Sequence, residues 1–124
     1  MASLNMGISY DLTYDEVNRL VVENRKGNYA FGYLDERGVF IVRYVGRSDT
    51  DLREEIKNGI ANMEADNIRR YDRFKFSYAE TNQEAYEKEC RNYHDFGGAE
   101  GFLLNKIHPD KPEGYTGSCP ICGE

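Results

Sequence analysis

The sequence predicts an α+β domain: a small, three-stranded, mainly antiparallel sheet flanked by helices. Three observations carry this. Residues 28–34 and 39–45 are two strand-like segments separated by the turn-forming run 35–38. Leu52, Ile56 and Ile60 recur every four residues, the spacing of an amphipathic helix. Residues 73–79, RFKFSYA, alternate strictly and lead into a second helical signal.

A chain of 124 residues is long enough for one domain with a core. Its hydrophobic content of 40% is too high for a disordered chain. No apolar run reaches the length of a membrane span, and the N-terminus lacks the basic-then-apolar pattern of a signal peptide. The expectation is a soluble, cytoplasmic protein with no membrane partner. The net charge of −6 argues mildly against a protein that coats nucleic acid. Basic residues nevertheless gather in the middle: residues 43–75 hold eight, against four in 1–42 and four in 76–124.

In chain order, Thr13 and Glu16 form a capping box, and Val17, Leu20 and Val21 follow at helical spacing. Residues 14–23 therefore read as a short helix. In NYAFGYL, Tyr29, Phe31 and Tyr33 point one way and Ala30, Gly32 and Leu34 the other. Asp35–Gly38 turns the chain, and VFIVRYV at 39–45 completes a hairpin with Tyr44 near its end. A helix follows over 50–63, then the strand over 73–79. Thr81 and Glu84 open another helix that runs to about His94. The run 95–101, rich in glycine, breaks it. Residues 101–107 are ambiguous, with a short helix as one reading, and the rest is irregular.

These motifs resemble the GIY-YIG nuclease domain. That family is named for two short motifs on neighbouring strands. Gly27–Tyr29 (GNY) stands at the first and Tyr44–Gly46 (YVG) at the second. The resemblance covers residues 27 to about 108. It leaves 1–26 as an N-terminal extension with a short helix and 109–124 as an irregular tail. It implies a helix after the second motif, a third strand, and a helix carrying one essential glutamate, which falls on Glu89 in EAYEKECRNY. It places the family's downstream asparagine at Asn105. It also implies hydrolysis of DNA or RNA, tyrosines beside the scissile phosphate, and an arginine nearby. The arginine departs from the pattern. Aligning the family's asparagine-leucine pair to Asp51–Leu52 puts Glu55 at its position, leaving Arg47 or Arg53 to supply the charge.

The residues themselves support part of this. With Tyr86 as zero and roughly 100° per residue, Tyr93 falls at about 340°, Glu89 at about 300° and Cys90 at about 40°. Glu89 thus lies on the inward face, where a carboxylate needs a partner. An arginine would serve; the resemblance favours Mg²⁺ or Mn²⁺, for which carboxylate plus water is suitable. Tyr29 and Tyr44 can share a face of the hairpin if the register allows, as packing residues or as phenols that position or deprotonate water. Gly46 lets the backbone turn tightly and approach a ligand.

The tail ends in SCPICGE, whose Cys119 and Cys122 fit a zinc half-site. Cys90 and His94 are four apart on one helix face and can complete it. The expected zinc site is Cys90, His94, Cys119 and Cys122, with His108 as an alternative fourth ligand. Other readings stay open. Cys90 can be a buried small hydrophobe, His94 a cation at a helix C-terminus, and the tail pair a contact for a second subunit or a redox pair. Two functions follow: a metal-dependent nuclease, or a nuclease-like module that binds nucleic acid, a protein partner or its own copy without cutting.

Overall fold

The computed structural model describes residues 4, 6–67, 71–96, 103, 105, 108–112, 114, 115 and 117–123. Helix α1 (Tyr14–Leu20) starts where Thr13 Oγ1 accepts the Glu16 N–H at 3.2 Å, as its capping residues require. The hairpin is β2 (Gly27–Leu34) and β3 (Phe40–Ser48). Its turn is held by Asp35 Oδ1, which accepts the N–H groups of Arg37 and Val39, and by Gly38 at φ 81. Helix α2 (Leu52–Ala65) buries the Leu52, Ile56 and Ile60 series. Strand β4 (Arg73–Tyr78) and helix α3 (Asn82–Asp95) follow, with Thr81 Oγ1 accepting the Glu84 N–H at 3.1 Å.

The class is the expected α+β one, with one more strand. A two-residue strand, β1 (Tyr10–Asp11), pairs with Phe74 and Arg73. Two residues are too few to show a period. What fixes them is Arg73, which bonds Asp11 and Ser9. All pairings are antiparallel and the order is β1-β4-β2-β3, so β3 is an edge. α1 and α2 cover one face over a core that includes Val17, Phe31, Ile56 and Phe74. α3 covers the other over Ala30, Val45 and Tyr93. Among the described residues no helix is long and apolar enough to cross a membrane.

The hairpin register decides which side chains meet. Phe31 pairs with Tyr44 but Gly32 pairs with Val42, so Arg43 is an extra residue in β3. Such a bulge reverses the alternation beyond it. Val42 packs on the α3 side, whereas Tyr44 packs on the α2 side with Tyr29 and Phe31. The bulge is what lets the two tyrosines share a face.

One expectation is corrected, and another falls mostly outside the described residues. Gly46 makes no turn. It sits inside β3 opposite Tyr29, where a Cβ would lie 2.4 Å from the Tyr29 ring and hydroxyl. Its function is to leave room for that ring. The chain turns after Ser48, whose hydroxyl accepts the N–H groups of Thr50 and Asp51. Most of the ambiguous segment 101–107 lies outside the described residues; Leu103 and Asn105 belong to neither helix nor strand.

Candidate functional site

The site begins with two phenols on β2 and β3. The Tyr29 and Tyr44 rings stack 6.3 Å apart. Tyr29 is 3% exposed, and its hydroxyl donates to Glu55 Oε2 at 3.2 Å. Burial first, then the charges of Glu55 and Glu89, lift its pKa well above the usual phenol range. Burial, Glu89 and Glu55 also raise Tyr44, against a smaller opposing effect of the Tyr29 hydroxyl. Both phenols therefore hold their protons firmly. Beside them is a cavity of about 220 Å³ walled by Phe31, Tyr44 and Tyr71 and rimmed by Glu55, Asn58 and Asn62 of α2. Its floor exists because Gly59 has no side chain; a Cβ there would meet the Phe31 ring at 2.5 Å.

The second part lies on the other face of β3. Val45 and Arg47 point toward α3, and Arg47 reaches Glu89 Oε1 at 2.5 Å and Asp49 Oδ1 at 2.9 Å. The guanidinium also lies 5.2 Å from the centre of the Tyr86 ring. Glu89 is on the inward face of α3, 8% exposed. Burial pushes its pKa up to about 7; Arg47 opposes this, and Asp49 and Glu55 add to it. The two parts lie on opposite faces of the sheet and act on one another through charge alone. Glu89 raises both phenols, although no hydrogen bond joins them among the described residues.

Arg47 thus joins Glu89 on the α3 face, while Tyr29 and Tyr44 stand at the same end of the hairpin on the α2 face. Arg53 joins neither. Its guanidinium is spent on the carbonyls of Val21 and Asn18 and approaches Glu23, fastening α2 to the end of α1. Its place in the first turn of α2 faces α1, which sequence spacing could not reveal. Asn105 bonds Val45 on both sides: its Oδ1 accepts the Val45 N–H at 2.9 Å and its Nδ2 donates to the Val45 carbonyl at 2.8 Å. It supplies the edge with the partner groups of a missing strand. Gly27 opens β2 so tightly that a Cβ would lie 2.3 Å from the Ser77 carbonyl oxygen. Sequence reasoning missed Asn28, fully buried, whose Nδ2 donates to the Ala85 carbonyl of α3 at 2.8 Å. The available signal was a lone amide within an otherwise apolar strand. It also missed Glu55 as the partner of Tyr29.

A separate group gathers where the tail meets the end of α3. His94, His108, Cys119 and Cys122 place one ligand atom each within 4.8 Å of one another, so they could hold a metal ion. The expected set is corrected at one position: His108, the alternative, stands where Cys90 was expected. Cys90 is one turn earlier on α3, inside a small core with Tyr86 and Cys119, and burial pushes its thiol up to about 12. Cys119 behaves oppositely. Burial opposes ionisation, but the backbone N–H groups of Cys122 and Ile121 prevail and draw the thiol down to about 6.

Fold and site together define a small α+β domain with paired phenols and an arginine–glutamate pair on opposite faces of its edge hairpin, and a His₂Cys₂ group able to hold a metal. No family model, no curated protein and no solved structure matches the chain.

Proposed function

We propose that the protein is a metal-dependent nuclease that hydrolyses phosphodiester bonds in DNA or RNA. One observation carries the reading. Two stacked phenols on one face of the β2–β3 hairpin and a buried arginine–glutamate pair on its other face stand at the same end of it. Arg47 pairs with two carboxylates, Asp49 and Glu89, and Glu55 adds its negative charge at Glu89. That excess fits a hard divalent cation and would repel a phosphate without one. Mg²⁺ or Mn²⁺ would be held by Glu89 and water, and when bound would supply charge stabilisation at the phosphate. Arg47 would hold a phosphate oxygen. Tyr29 keeps its proton and orients water by hydrogen bonding, with Glu55 as the acceptor behind it; Tyr44, more exposed, faces the cavity.

The test is incubation with mixed DNA and RNA substrates plus Mg²⁺ or Mn²⁺. Glu89→Gln should lower cleavage by roughly 10²–10⁴-fold with an unchanged circular dichroism spectrum. A variant that cuts as well as the parent removes Glu89 from the chemistry.

The binding-only alternative draws on one observation: a carboxylate, Glu55, holds Tyr29 where the related pattern has an arginine. It is favoured if the parent binds the same substrates and cuts none of them. A partner protein or a second copy would then be the natural client of the cavity. For the His₂Cys₂ group the ion we propose is Zn²⁺, which suits mixed imidazole and thiolate ligands.

A further inference from the structure

We propose that His94, His108, Cys119 and Cys122 form a closed, structural zinc centre within one chain, and that this centre fastens the C-terminal tail onto the helix that carries Glu89. The proposal is independent of the nuclease reading.

The dimensions are those of a tetrahedral site. Zinc bonds of about 2.0–2.3 Å place ligand atoms about 3.3–3.8 Å apart. Here His94 Nε2 is 3.2 Å from His108 Nε2, and Cys122 Sγ is 3.4 Å from the same nitrogen. All four atoms fall within 4.8 Å. Closing the widest of these separations to a tetrahedral one takes about 1 Å at most.

The surroundings are also those of a ligand set. His108 Nδ1 is 3.0 Å from the Pro109 carbonyl oxygen. A carbonyl only accepts, so Nδ1 carries the proton and Nε2 presents its lone pair to the centre. Cys119 and Cys122 both turn their sulfurs into the group. The turn that makes this possible is closed by Gly123, at φ 78, whose N–H donates to the Cys119 carbonyl at 2.9 Å. C-P-x-C-G thus folds into a knuckle with both sulfurs on one side.

Four protein ligands leave no open position, so the centre serves structure and not chemistry on a substrate. Its position shows what it holds. The described tail has no helix or strand, and few of its described residues are buried. Tyr115 of the tail packs on Tyr86 at 5.1 Å, and Tyr86 in turn supports the Arg47 guanidinium that holds Glu89. A segment so poor in apolar contacts is held by its metal.

The full chain, purified under reducing conditions without chelator, should contain one zinc per chain by elemental analysis and remain monomeric. Cobalt(II) titrated into metal-free protein should give the visible absorption of a tetrahedral thiolate site. His108→Ala and Cys122→Ser should weaken zinc binding at least about tenfold, whereas Cys90→Ala should keep one zinc per chain. Removing the metal should expose residues 108–123 to a low-specificity protease before the rest of the chain. Zinc content near zero after loading overturns the site. So does one zinc shared by two chains, or a Cys90→Ala variant that loses metal while His108→Ala retains it. A tail equally protected with and without metal overturns the fastening role. None of these measurements depends on nucleic-acid cleavage, so either reading can fail alone.

Discussion

Glu89 shows how far a single residue can be understood from sequence. Helical spacing alone placed it on the inward face of α3. Its partner was beyond reach, because Arg47 is 42 positions away and meets it only through the path of β3. The pairing is contested by burial, which pushes Glu89 up to about 7 from an ordinary 4.5. Between these values the folded chain holds a proton that the unfolded chain releases. This contribution to stability is full below about pH 4.5 and is lost as the pH rises through about 7. Without Mg²⁺ or Mn²⁺, the parent should therefore lose about 1–3 kcal/mol of unfolding free energy relative to Glu89→Gln between pH 5 and pH 8. Denaturant titrations at several pH values measure it. Parallel curves would mean that Arg47 keeps the carboxylate ionised throughout. Gly46 marks the limit of legibility at this scale. A glycine after Tyr-Val reads as a turn, and only its cross-strand neighbour, Tyr29, explains it.

At the scale of elements, the helices and the three longer strands were legible because each carries its own period and cap. Leu52, Ile56 and Ile60 recur on one face, and Thr13 and Thr81 mark their helix starts. The bulge at Arg43 was not legible: it is a property of two strands in register, and no single strand carries its signature. Yet it sets the face on which Tyr44 stands. The edge strand poses the same kind of problem. Val45 would show an unpaired N–H and C=O beside the site if Asn105 did not satisfy both. Asn105→Ala should cost about 1–3 kcal/mol by stranding buried backbone groups. Asn105→Asp should cost at least as much, since a carboxylate accepts the Val45 N–H but faces the Val45 carbonyl with no donor. Thermal unfolding of the two variants checks this. An aspartate variant as stable as the parent would show that only one of the two bonds matters.

Across the whole molecule, sequence reasoning brought the tail back to α3 on the strength of its ligands. It took Cys90 in place of His108, since spacing along α3 does not show which side chains the tail meets. The charge balance has a consequence at the same scale. A chain of net charge −6, with two carboxylates on Arg47, has little to offer a polyanion directly. If the nuclease reading holds, a divalent cation must reverse the local field before a phosphate can approach. Binding of labelled DNA or RNA, followed by fluorescence anisotropy, should therefore be weak when Mg²⁺ is simply omitted and should strengthen on its addition. With so few basic side chains at the site, about one or two phosphates would be neutralised. The logarithm of the affinity should then fall with the logarithm of salt at a slope no steeper than about −2. Glu89→Gln should lose most of the gain from Mg²⁺, because the carboxylate that recruits the ion is gone. Tight binding without Mg²⁺, with a steep salt slope and no response to Glu89→Gln, would place the nucleic-acid surface elsewhere, away from Glu89 and the tyrosines.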